Sequence, residues 1–559
     1  MSSNHPFKLN PNLLDTTERR DVPGSMGATT EAHGLYAAFE FVMRLSPLVH
    51  EKLEALPTGI VSSGEIGFDG AQAFSTYLHE TIHWWQHMGS TFGLISSLTY
   101  PVESHANHNH LKALGQAVGF KKSIRQLAMS MDGPVTPDTP AGLANIIVNN
   151  QFDFDAFRYV TYGPDARQHI VGLGQFQSIG HALAVTYGSV VFQLGQVADP
   201  EFKVIPKPDN WYRTVMDQAD AEVDGYYYGS PVDVMPIGAR EIMEGQARFS
   251  QIQYLYFASG GHLDWDDFED IGWLGTNVYT AAFDGFLTLA RLERPATADD
   301  PVVALFLLVC DMALNPGSGF PFPAVSPSTF IEDVDPGTRF LFLASAVRKH
   351  PELAQTIRAY SREEYVEVSQ RLAESIIVHP PMKIARTVAD WPKNSASVAA
   401  LMDELRTFDF EPINLPIRFM LAHFIAFMRD KAEHPEVFCW PGAWMAGERV
   451  SDHVSTLFDR HRAAFVDKAD DDGVFPRTYP DKDEATVHET FQNFYASTVT
   501  YDLTRQWIVE SGPFHYRYNW LVQNATHEEM KEYGDRHFHM IYGVWPDDIE
   551  ILAGAGSQK

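Results

Sequence analysis

The chain has 559 residues, 45% of them hydrophobic and 20% charged, enough to bury a large core without staples. Lys and Arg number 42 against 72 Asp and Glu, a formal net charge of −30. Basic clusters in the sequence are no larger than pairs such as Lys121-Lys122, so nucleic-acid binding and anionic membranes are excluded as partners. The two cysteines, Cys310 and Cys439, exclude a disulfide framework, a paired-cysteine zinc finger and a four-thiolate iron–sulfur centre.

Residues 1–30 read as a flexible N-terminal arm. They are polar, carry the pair Arg19-Arg20, and lack the apolar stretch of a secretory signal, so a cytoplasmic location is expected. From Ala32 to Leu56 apolar residues recur at helical spacing (Phe39, Val42, Met43, Leu48, Leu53). Gly64 to Gly70 reads as a turn. Asp69 would cap a helix running from about Ala71 to Met88 and stopping near Gly89.

From about residue 152 to 236 Gly, Tyr and Val become frequent in short runs. Tyr187–Leu194 and Phe202–Ile205 read as strands, and the segment as a β-rich insertion. Helical periodicity returns at Ile237–Phe257 and dominates from Trp265 to Ile551, with proline breaks near 295, 316–327, 380–381 and 476–480. The most apolar run, Val302–Leu314, is broken by Asp311. It is too short to span a bilayer and reads as a buried helix. Asp470 to Gly473 resembles a calcium loop only superficially, because Lys468 stands where the first acidic ligand belongs.

Residues 79–83 read His-Glu-Thr-Ile-His. Two histidines at i and i+4 on a helix project from one face and can grip one metal ion. The Glu between them then sits beside the metal-bound water. At about 100° per residue, Phe74, Leu78, Ile82 and Trp85 form an apolar stripe, while His79, Glu80 and His83 fall on the other side with Thr76 and His87.

A catalytic zinc needs a third protein ligand and an open position. Glu244 lies on a helical stretch, on the side of Arg240, Glu241, Arg248 and Gln251 and opposite Ile242, Met243 and Phe249. Gly245 and Ala247 would let a neighbouring helix approach closely. Glu103, followed by Ser104 and His105, is the rival and lies nearer to His83 in sequence.

These residues resemble a zincin metallopeptidase of the gluzincin type, whose site is HExxH plus a Glu on a second helix. Residues 79–83 match the first element, and Glu244-Gly-Gln-Ala247 is similar to the E-G-x-A stretch that carries the third ligand. Glu103 with Ala106 and Asn107 resembles a shorter-spaced version, and Glu244 is favoured of the two. The resemblance implies a zinc-dependent hydrolase of peptide or protein substrates, with His79, His83 and Glu244 as ligands and Glu80 as general base. The metzincin pattern fails, since Gln86 and Gly89 stand at its Gly and third His positions, which leaves His87 as a neighbour of the site.

The expected fold is therefore α+β and predominantly helical. A zincin-like domain would span 31–265 with the β-rich insertion, and a helical C-terminal domain would span 266–559. Two His and one Glu also form the facial triad of a non-haem Fe2+ oxygenase, and a catalytically inactive scaffold would keep the same fold. Oxyanion donors are sought among Tyr226, Tyr227, Tyr228 and His262. His105, His108 and His110 could form a second metal cluster. His515, His537 and His539 have no assigned role. No GxSxG, GxGxxG or phosphate-binding GK motif occurs.

Overall fold

The computed structural model describes residues 7–14, 33–54, 67–208, 211–231, 236–275, 277–324, 329–522 and 524–552. The principal elements, in chain order, are β1 (Gly34–Ala37), β2 (Val42–Leu45), α1 (Pro47–Glu54), α2 (Phe68–Gly89), α3 (Thr99–Val118), α4 (Pro140–Tyr162), α5 (Ile179–Ala198), α6 (Ala239–Ala258), α7 (Val278–Ala290), α8 (Pro301–Leu314), α9 (Ala396–Thr407), α10 (Leu415–Glu433), α11 (Asp452–Arg460), β3 (Phe465–Lys468), β4 (Asp471–Pro476) and α12 (Glu484–Val509). The chain is predominantly helical.

α2 is the central element. It packs on α6, on α10 and on β1, and is buried on nearly every side, including the face that carries His79 and Glu80. Trp85 packs among Phe427, Phe438 and Phe458 and donates its indole N–H to the His461 carbonyl at 2.8 Å. The helix starts at Phe68, with Asp69 inside its first turn rather than at its cap. It ends where Ser90 turns extended. The Ser90 hydroxyl donates to the Gln86 carbonyl at 2.6 Å and accepts from Gly93 N–H at 2.9 Å, so one side chain closes α2 and caps the helix after it.

The four-stranded sheet runs β1-β2-β3-β4, with β1 at one edge. β1 pairs antiparallel with β2 from Gly34↔Leu45 to Ala37↔Val42, and β2 pairs parallel with β3 at Met43↔Val466. The buried Asp467 carboxylate accepts from Leu45 N–H at 3.1 Å and pairs with His50 at 2.7 Å, which joins β2, α1 and β3.

Several expectations need correction. Residues 34–54 form a hairpin and a short helix, not one continuous helix. The segment from 152 to 236 has no strand among its described residues. Tyr187–Leu194 lies inside α5, where Val190, Val191 and Leu194 are wholly buried against α3 and α4. Burial in a helical layer outweighs the β preference of two adjacent valines there. Phe202–Ile205 is an irregular loop in which the Asp199 carboxylate accepts from the Val204 and Ile205 N–H groups.

Of the expected arm, residues 7–14 are docked. Leu9, Leu13 and Leu14 are buried, and Thr76 on α2 donates to the Leu13 carbonyl at 2.8 Å. The rest of the arm, residues 1–6 and 15–30, lies outside the described residues, as do 64–66 of the expected turn. Asp470 lies in the turn of the β3–β4 hairpin, which brings strands from beyond residue 265 into the same sheet as β1 and β2. Among the described residues no helix is long and apolar enough to cross a membrane.

Trp85→Ala is expected to cost about 3–5 kcal/mol of stability, through a cavity among three aromatic rings and an orphaned carbonyl. Chemical denaturation with a lowered midpoint and unchanged slope would show it.

Candidate metal centre

The pairing of α2 with α6 brings His79, His83 and Glu244 together. Their ligand atoms all lie within 4.8 Å of one another, and among the described residues no other His, Cys, Asp or Glu group meets that condition. His83 Nε2 lies 3.2 Å from His79 Nε2 and 3.3 Å from Glu244 Oε2, and His79 Nε2 lies 3.6 Å from the same oxygen. A tetrahedral zinc with bonds of 2.0–2.1 Å sets its ligand atoms about 3.3 Å apart, so the triangle fits such an ion. Two imidazoles and a carboxylate are also the donor types that zinc takes in catalytic sites.

The helix contact is held by a polar clamp. Gln86, one turn after His83, donates its amide N–H to the Met243 carbonyl and to Gln246 Oε1, both at 2.9 Å. That fixes the Gln86 oxygen, which lies 2.8 Å from His83 Nδ1. With a metal bound, His83 would keep its Nδ1 proton, donated to Gln86, and present its Nε2 lone pair. His79 has no such support, since its Nδ1 is buried without a partner among the described residues.

Two glycines make room. A Cβ on Gly245 would meet Phe306 at 3.2 Å and Ala282 at 3.3 Å, so its lack of a side chain lets α7 and α8 close on α6. A Cβ on Gly34 would meet Glu80 Cγ and Oε1 at 2.7 Å. The edge strand β1 therefore runs directly against the side chain of Glu80, a buried residue.

Burial and mutual charge set the protonation of the triad. Burial works against a charge on His83, but the Glu244 carboxylate outweighs it and pushes His83 up to about 9. Burial drives His79 down to about 3. Glu244 lies well below the usual carboxylate range, because the two imidazoles overcome its own burial. Without a metal, His83 is thus the charged imidazolium of the triad at neutral pH, beside a neutral His79 and an ionised Glu244.

A cavity of about 90 Å3 opens onto His79, Glu80, His83 and Glu244. Tyr36, Tyr162, Arg240, Tyr279 and His87 supply the other polar groups of its wall, with Ala38 and Met243. His87 is neutral, lowered to about 3 chiefly by burial, with Nδ1 3.2 Å from the Ser97 hydroxyl. The oxyanion candidates from the sequence lie elsewhere. Tyr226 accepts from Ile331 N–H, Tyr227 bonds to Asp224, Tyr228 is 65% exposed, and His262 Nδ1 bonds to the Ser259 carbonyl. Arg240 was legible, one turn before Glu244 on the same face of α6. Tyr36, Tyr162 and Tyr279 sit on three separate elements and carry no shared sequence signal.

Glu103 is removed as a ligand. Its carboxylate is taken by Arg158 at 2.7 Å and Arg505 at 3.4 Å, in a buried ion cluster joining α3, α4 and α12. His105, His108 and His110 lie along α3 and make no metal cluster with described residues; His108 packs on Tyr542. His515 pairs with Glu510, His537 packs on Tyr533, and His539 stacks on Trp545.

Comparison of the chain with protein-family models, with curated proteins and with solved structures finds no match.

Two outcomes follow from this geometry. Gln86→Ala is expected to weaken zinc binding about 10–100-fold by freeing the His83 ring, as read by competition with a chromophoric chelator. Zinc affinity is expected to fall as pH drops below about 9, because the metal must displace the His83 proton. Calorimetry in buffers of different ionisation enthalpy should therefore count about one proton released per ion near pH 7.5.

Proposed function

We propose that the protein is a zinc-dependent metallopeptidase that hydrolyses peptide bonds, with Glu80 as general base. The observation that carries this reading is the convergence of His79, His83 and Glu244 at tetrahedral spacing, with Glu80 buried on the same cavity wall. The likeness of residues 79–83 and 244–247 to a gluzincin site supports it.

A zinc ion on the three ligands would supply a Lewis acid for the substrate carbonyl and a water of lowered pKa. Glu80 takes the water proton and returns it to the leaving nitrogen, a role the facial triad of an oxygenase does not need. Arg240, Tyr162, Tyr279 and His87 are the wall groups that can donate to the developing oxyanion. The edge position of β1 supports a peptide substrate. Among the described residues its outer edge has no partner strand, and Gly34 on it packs against Glu80, so an extended chain added to that edge would lie beside the strand that borders the site.

Elemental analysis is expected to find about one zinc per chain in the wild type and none in His79→Ala. Glu80→Gln should keep the metal and lose about 10²–10⁴-fold in turnover of a fluorogenic peptide mixture. Full activity in Glu80→Gln would remove the general-base assignment, and iron in place of zinc would overturn the zinc assignment.

A further inference from the structure

The sequence holds no basic cluster larger than a pair, yet the fold assembles one. A cavity of about 680 Å3 opens between α9, α10, α11 and the loop that follows β4. Six Arg and Lys side chains line it, against three aspartates, in a chain whose net charge is −30. The cations come from four separate segments. It shares no lining residue with the metal cavity.

Five of the six cations have an acidic neighbour, Arg429 and Arg460 sharing the buried Asp430, and the other three pairs rest on exposed carboxylates. Arg406 pairs with Asp403 at 3.2 Å and Arg462 with Asp459 at 3.4 Å, and Lys482 pairs with Asp481. All three aspartate side chains are exposed, by 72%, 46% and 73%. Exposed pairs of this kind are worth little and yield readily to a better anion. Arg460 is bound to Asp430 behind the wall. Arg477 has no carboxylate within ion-pair distance among the described residues. Its terminal nitrogens donate to the Asp459 and Arg460 carbonyls, and it lies over the Tyr479 ring at 4.3 Å.

The wall is also short of acceptors. Three polar atoms behind its lining, Arg477 Nε, the Tyr479 hydroxyl and His423 Nε2, are buried without a partner among the described residues. Each of them can donate a hydrogen bond. Cations from several directions suit an oxyanion with several oxygens and more than one charge. Guanidinium groups match such phosphate oxygens in a way a single carboxylate cannot satisfy. Phe408 and Tyr479 give an organic portion an apolar surface.

We propose that this cavity binds a small phosphate-bearing anion, gripped by Arg462, Arg477 and Lys482. The site backs onto the metal-binding helix. The His423 ring packs on Trp84 at 5.9 Å, and His461, which lines the cavity, accepts from Trp85. The proposal stands whether or not the metal centre is hydrolytic.

Inorganic pyrophosphate is the probe, titrated by calorimetry into the full chain at low ionic strength. The titration is run on the zinc-loaded protein and on Glu244→Ala. Saturable one-to-one binding is expected in both, weakened about tenfold or more in Arg477→Gln and in Arg462→Gln/Lys482→Gln, with citrate binding more weakly. Arg477 also braces two carbonyls, so Arg406→Gln/Arg429→Gln is the second test. Those two side chains are exposed, and the double variant should weaken pyrophosphate several-fold at an unchanged unfolding midpoint. The proposal is overturned by absence of saturable binding, by binding lost in Glu244→Ala, by wall variants that bind like the wild type, or by citrate binding at least as tightly.

Discussion

The contact between α2 and α6 is the constraint on which the rest of the site depends. Two histidines one turn apart come with the helix itself, but they bind a metal weakly without a third donor. Glu244 reaches them because Gln86 pins α2 to the backbone just before Glu244, at the Met243 carbonyl. The same amide orients the His83 ring. One side chain therefore sets both the spacing of the two helices and the direction of a ligand lone pair.

Such a clamp is needed because the site is buried. A carboxylate and two imidazoles packed into a protein interior are costly unless they are paired with one another or with a metal. Here they lie at contacts of 3.2–3.6 Å, with His83 the one charged imidazole among them. The surrounding core resists relaxation. Gly245 admits α7 and α8 to van der Waals contact with α6, and Trp85 fixes the opposite side of α2 among three rings. The donors stay converged because the helices that carry them cannot separate without opening the core. Elsewhere buried charge is handled by pairing, as in the Glu103–Arg158–Arg505 cluster and in the Lys431–Asp311 bridge between α10 and α8.

What could be read from the residues alone was local. The HExxH helix was legible because its ligand spacing and its apolar stripe share one period, and both lie within a few turns. Its ends were placed within a few residues of Phe68 and Gly89. The face of α6 that carries Glu244 was legible for the same reason, as was its close approach at Gly245. Val190 and Val191 misled because β-branched residues favour strands only where no helical layer waits to bury them. The hairpin at 34–45 was read as helix because its strands are only four residues long, and the parallel partner that holds β2 in a sheet, β3, lies hundreds of residues away.

The sequence by itself determined that two histidines and a glutamate share one helix face, and that two carboxylates were available to join them. Tertiary structure decided between those carboxylates: Glu103 is neutralised by two arginines, and Glu244 faces the imidazoles. It also decided which tyrosines reach the cavity, and it built a basic pocket from single cations scattered over four segments. The reason is physical. Helix periodicity fixes which side chains share a face, whereas the meeting of two faces depends on how the whole core packs, which no single segment encodes.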